Sequence, residues 1–259
     1  LEAKMALAKG ASMAGTATCS GEGGMIPPER DLSTKWYYQC IQSRYGFNPH
    51  HLMLADAVEF FIGQGCKVGL GGHLMGQKVT EQVAEMRSLP AGIDQRSPGR
   101  HPDWLGPDDL SLKIQEIREA TDYQIPIQLK LGASRVYDDV RMAAKCGPDI
   151  IYLDGAEGGT GAGPHLATEE TGIPLMAAIP EARRALEAVD AGLRDLDERR
   201  VGAESAVQDA RDLLENVKFS VQELRLRRET LLEQFTATRL ELAEVVAALV
   251  PEADVTAWE

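Results

Sequence analysis

Basic residues are in short supply: 27 Lys and Arg stand against 40 Asp and Glu, a formal charge of −13 over 259 residues. Binding nucleic acid takes clustered cations to neutralise phosphates, so that partner class is excluded. Cysteine is sparse too. The four present, Cys19, Cys40, Cys66 and Cys146, form no Cys-x-x-Cys pair, which removes a zinc knuckle and a disulfide framework. The five histidines lack ligand spacing, so no metal site is expected. No run of eighteen apolar residues occurs, and Leu1-Glu-Ala-Lys-Met opens no secretory pattern; the expectation is no membrane partner and a cytoplasmic location.

Glycine and proline run out part-way along the chain. Of 25 glycines, 23 precede Val189, and beyond it only Gly192, Gly202 and Pro251 remain. Such a shift marks a domain boundary, giving residues 1–188 and 189–259. The later part carries a heptad instead. One column reads Leu193, Arg200, Val207, Leu214, Val221, Arg228, Phe235, Leu242, Leu249, and its companion reads Leu196, Ala203, Ala210, Val217, Leu224, Leu231, Thr238, Val245. Filled a and d positions predict a coiled-coil tail that pairs with itself or a partner helix, continuous to Pro251. Leu213, Leu232 and Val246 widen the stripe, so an amphipathic helix on a globular core also fits. Arg200 and Arg228 fall at a positions and would set register or partner choice; Arg199 and Glu204 suit an interhelical pair, with orientation left open.

The earlier part alternates. Residues 37–41, 57–62, 125–131 and 149–153 read as strands, and 1–10, 79–87, 107–120 and 136–145 as helices, which predicts βαβ units and a parallel sheet. Asp108-Asp109 and Asp138-Asp139 sit where helix starts favour carboxylates, so capping is their expected role. The most informative stretch follows the last strand. Asp154-Gly-Ala-Glu-Gly-Gly-Thr-Gly-Ala-Gly is a loop whose glycines let backbone amides approach a flat or anionic ligand; a tight connection is the plainer reading.

Three further motifs accompany it: Ser20-Gly-Glu-Gly-Gly24, Gln64-Gly-Cys-Lys-Val-Gly-Leu-Gly-Gly-His73 and Gln128-Leu-Lys-Leu-Gly132. In order and spacing the four resemble the FMN-binding domain of glutamate synthases, and the stand-alone glutamate-synthase-like flavin subunits that include the large subunit of N-methylglutamate synthase. The resemblance covers residues 1 to about 188. It implies an α/β fold, a partial (β/α) barrel followed by the long helix, with FMN at the carboxyl ends of the strands. It implies reductive transfer of nitrogen, as ammonia or methylamine, to 2-oxoglutarate or a glutamate-type substrate, with amidotransferase and electron-donor subunits as partners.

By the same resemblance Lys130 would hold the electron-rich edge of the flavin, and Gln39, Asp154, Gly155, Gly158 and Gly159 would complete the cofactor pocket. Lys67 would meet the substrate carboxylate, and Glu22, between glycines, would reach a ligand or an incoming domain; no residue is assigned the chemical step. The family's Asn two places before Gly21 is Cys19 here. The family's first strand would precede Leu1, its phosphate-binding strands would follow residue 188, and its cysteine-rich segment has no counterpart, so no iron–sulfur cluster is expected on this chain. A joined or incomplete flavoenzyme segment, a natural fusion and an inactive relative kept for assembly remain open. The rival to an enzyme is a non-enzymatic coiled-coil scaffold carrying an inactive barrel fragment.

Overall fold

The computed structural model describes residues 1–158, 160 and 163–250. Its strands are β1 (Thr18–Cys19), β2 (Trp36–Cys40), β3 (Ala57–Phe61), β4 (His73–Leu74), β5 (Gln95–Arg96), β6 (Ile127–Gly132) and β7 (Ile150–Asp154). Its α-helices are α1 (Glu2–Met13), α2 (Pro27–Leu32), α3 (Pro49–Leu52), α4 (Glu81–Arg87), α5 (Pro107–Ala120), α6 (Val136–Lys145), α7 (His165–Glu170), α8 (Leu175–Ala237) and α9 (Leu242–Ala248). Contacts group the chain into two units, Leu1–Gly192 and Leu193–Glu259.

In the first unit five strands form one parallel sheet in the order β1-β2-β3-β6-β7, while β4 and β5 pair as a separate antiparallel ribbon. Each new strand joins beside its predecessor and the order never reverses. That is the winding of a (β/α) barrel, not of a doubly wound sheet, and the unit is a partial barrel. An acid just before β3 and another just before β7 each anchor the start of the adjacent strand: Asp56 Oδ2 accepts from Trp36 N of β2 at 2.8 Å, and Asp149 Oδ2 accepts from Ile127 N of β6 at 2.7 Å.

Alternation gives the sheet two unlike faces. Tyr38, Val58, Phe60, Ile127 and Leu129 are fully buried on one, packed with Leu110 and Ile114 of α5 and Val140 and Ala143 of α6. Burying each large apolar side chain contributes roughly 1.5–3 kcal/mol. Gln39, Glu59, Gln128 and Lys130 occupy the other face, which in a barrel is the interior. The acids lie in the first turns of α5 and α6 but do not cap them, the N-cap residues being Gly106 and Arg135: Asp109 Oδ2 accepts from Leu105 N at 2.9 Å, and Asp138 pairs with Arg135 at 2.8 Å.

The second unit contains the later part of α8 and then α9. Helix α8 spans 63 residues, about 95 Å at 1.5 Å per residue. It begins earlier than the heptad suggested and does not continue to Pro251. Thr236 and Thr238 turn their hydroxyls back to the carbonyls of Leu232 and Phe235, at 2.7 and 2.6 Å, and Arg239 takes φ 59°. Such side-chain bonds compete with the helix ladder, and the helix ends at Ala237. No helix among the described residues is long and apolar enough to cross a membrane.

Candidate functional site

The polar face becomes a site at the carboxyl ends of β3, β6 and β7. Register places Phe61 beside Lys130 and Lys130 beside Tyr152, so the Lys130 side chain rises between two rings. Its Nζ lies 5.2 Å from the Phe61 centroid and 5.4 Å from that of Tyr152, and 3.4 Å from Asp154 Oδ2. The same Asp154 oxygen accepts from Gly65 N at 3.0 Å, tying the loop after β3 to the loop after β7. Those backbones touch closely. A Cβ at Gly65 would collide with the carbonyl oxygens of Gly155 and Asp154, and one at Gly158 would strike the Asp154 carboxylate.

Within the β3 loop, the turn Gly65–Lys67 buries Lys67 almost completely, at 2% exposure. Among the described residues its ammonium donates to one acceptor, the Gly71 carbonyl at 2.7 Å, and no carboxylate lies within 4.0 Å. A desolvated ammonium with a single neutral partner is costly unless an anion joins it. Glu22 sits over the same loop, so close to Gly72 that any Cβ there would overlap its carboxylate.

The conserved-region model of glutamate synthase matches residues 1–215. The chain belongs to the glutamate synthase family. It is 51% identical over 185 residues to a glutamate synthase large subunit-like protein of Rhizobium meliloti, covering 71% of this chain and 42% of that one. With an archaeal glutamate synthase [NADPH] of Archaeoglobus fulgidus it shares 40% over 197 residues, 75% of this chain and 37% of that protein. The chain thus spans about two-fifths of the length of these relatives. Among solved structures, a mandelate oxidase matches 57% of this chain and 41% of its own at TM-score 0.32 and 16% identity. At that distance the likeness adds nothing to the sheet topology.

In this glutamate synthase family member, Lys130, Asp154, Gly155, Gly158 and Lys67 fall on adjoining strand ends and loops, and Glu22 closes over the Lys67 loop. Gly159 lies outside the described residues. Gln39 sits two residues below the Lys130 level, where its Nε2 donates to Glu59 Oε1 at 2.5 Å. Gln128 Nε2 donates to the other Glu59 oxygen, so a carboxylate 5% exposed is held by two amides. Cys19 Sγ lies 3.8 Å from Glu59 Oε1. Among the described residues no group of three His, Cys, Asp or Glu could hold a metal.

Sequence reasoning missed Glu59 and Arg87. Arg87, on the last turn of α4, donates through Nη1 to Gln95 Oε1 at 2.9 Å and lies 5.1 Å from the Tyr45 ring, but its Nε has no partner. A Cβ on Gly23, next to Glu22, would come within 3.9 Å of that Nε. Among the described residues His73 Nε2, which lies 3.9 Å from Asp94 Oδ2, Gln95 Nε2 and Ser97 Oγ likewise make no hydrogen bond, on or beside the β4–β5 ribbon that Ser97 N ties to Gly72 O at 2.8 Å. These buried polar atoms without hydrogen bonds thus lie on α4 and on or beside the β4–β5 ribbon, not in one loop. The opposite, helix-covered face holds an apolar cavity of 390 Å³ beside Trp104, Leu129, Leu131 and Met142, without either lysine.

His101 braces the rim. It is 5% exposed, stacks on Trp104 at 3.7 Å, and lies 2.6 Å from Arg44 Nη1 and 2.7 Å from the Phe61 carbonyl. Burial pulls its pKa down to about 4, so the ring is neutral, accepting from Arg44 at Nδ1 and donating to Phe61 from Nε2.

Proposed function

We propose that residues 1–188 form the FMN- and oxo-acid-binding part of a glutamate-synthase-type amino-acid synthase that transfers nitrogen reductively to 2-oxoglutarate. The observation that carries this reading is the pair of lysines at the carboxyl end of one polar sheet face: Lys130 at a strand end between two rings, and Lys67 buried in the loop after β3, with a carbonyl as its one acceptor among the described residues.

The residues fit a flavin. An ammonium aimed along the strand ends suits the ring's anionic edge, and Phe61 and Tyr152 give flat apolar surface beside it. FMN, when bound there, supplies the hydride for the reduction. Asp154 fixes Lys130 and the Gly65 amide in one geometry, while the Gln39–Glu59–Gln128 layer forms a rigid polar floor. Lys67 takes one carboxylate of the substrate and the free Nε of Arg87 suits the other. Glu22, packed on Gly72 between these cations, orders the site and repels a misplaced carboxylate. Ammonia or methylamine is the nitrogen source, delivered with electrons by partner subunits of the amidotransferase and electron-donor classes.

Titration of the chain with FMN and then with 2-oxoglutarate, followed by calorimetry, tests this. Lys67→Met should weaken 2-oxoglutarate binding at least tenfold, the loss of one charge-assisted contact worth about 1.5–3 kcal/mol, and leave FMN binding in place. Equal 2-oxoglutarate affinity in the variant removes Lys67 from the site. The exposed stripe of α8 favours a second reading, a coiled-coil scaffold whose barrel part is inactive; failure to bind FMN would leave that one standing.

A further inference from the structure

From residue 190 to 234 every side chain of α8 is exposed, yet its two heptad columns are apolar except at Arg200 and Arg228. Leu193, Leu196, Val207, Leu214, Val217, Val221 and Leu224 each leave 44 to 65% of their surface open. A lone helix gains nothing from such a seam, which calls for a facing helix. We propose that the occupant is a second copy of this chain, and that the two α8 helices pair antiparallel between Leu193 and Leu224.

The e column decides the orientation. It reads Asp197, Glu204, Arg211, Lys218, and one step further each way Asp190 and Arg225: acids in the first half, bases in the second. Antiparallel helices bring e positions against e positions. Centred between residues 208 and 209, the two-fold brings Asp197 to within two residues, about 3 Å along the axis, of Lys218 of the partner subunit and Glu204 likewise of Arg211 of the partner subunit, with both pairs repeated by symmetry. In the same register the core layers are Leu193 on Leu224 of the partner subunit, Val207 on Ala210 of the partner subunit, and Val221 on Leu196 of the partner subunit.

Arg200 gives an independent argument. A parallel pair sets each a residue against its own copy, Arg200 on Arg200 and Arg228 on Arg228, with like charges in the seam. The antiparallel register sets Arg200 against Val217 of the partner subunit. Its guanidinium is already neutralised on its own helix, 2.8 Å from both Asp197 Oδ1 and Glu204 Oε1, leaving the aliphatic stem for the seam.

Lys218 is the single lysine beyond Lys145, which makes the test specific. Within one helix Asp197 and Lys218 are about 31 Å apart at 1.5 Å per residue, and a parallel in-register dimer keeps them as distant. The full chain should sediment as a dimer, and zero-length carbodiimide coupling should join Asp197 to Lys218 between chains. Lys218→Arg should abolish that link and keep the dimer. Asp197→Lys should raise the dissociation constant roughly tenfold, as two exposed attractions become repulsions, and Asp197→Lys with Lys218→Glu should restore it. A monomer, or a dimer without the Asp197–Lys218 link, overturns the proposal.

Discussion

On the proposed function, Lys67 trades stability for binding. A buried ammonium with one carbonyl acceptor among the described residues weakens the fold, so Lys67→Met should raise stability by about 1–3 kcal/mol as it removes the proposed anion contact. Denaturant unfolding measures this, and a destabilised variant would show that Lys67 is a structural residue. His101 sets a pH dependence. Its folded pKa, about 4, lies below the ordinary 6.5, so the unfolded chain binds the extra proton first. The stabilisation is full above about pH 6.5 and drains away as pH falls towards 4, up to about 3 kcal/mol in all. His101→Gln should flatten the loss of stability between pH 6.5 and 4.5; an unchanged slope would assign it to carboxylates. The motif residues were legible because glycines and a strand-end lysine stand out locally. Glu59 was not, since one carboxylate in Ala57–Phe61 reads as a solvent position until amides from 20 and 69 residues away close over it. Arg87 was hidden for a similar reason: a cation in the last turn of a helix is ordinary, and only its unpartnered Nε marks it.

Among the elements, periodicity located the four long strands and the helices α5 and α6 to within about two residues, the usual uncertainty at element ends. The short β4–β5 ribbon escaped, because two-residue strands carry no period. Helix α7 (His165–Glu170) also escaped; six residues after a proline give little pattern. One close joint between elements is Gly65 against the β7 loop. Gly65→Ala should cost about 3 kcal/mol and release the β3 loop from Asp154, because backbone atoms, unlike a flexible side chain, cannot swing away from the new Cβ. Urea unfolding with a midpoint close to that of the parent would mean the two loops part easily.

At the level of the whole molecule, the chain joins a partial barrel with a polar inner face to a helix whose apolar seam is open to solvent. Composition changes near Val189, and contacts divide the chain after Gly192. The family match runs to residue 215, beyond that change, so the heptad helix begins inside the matched region. What composition could not convey is the pairing of faces. Which side of the sheet carries Lys130, and whether Lys67 is solvated, depend on contacts between segments distant in sequence. The central claim is that this polar face holds FMN through Lys130. Flavin fluorescence titration of the full chain tests it most directly: saturable quenching at one FMN per chain, weakened at least tenfold in Lys130→Met, is the predicted result, and unquenched flavin at millimolar FMN, or equal affinity in the variant, would contradict it.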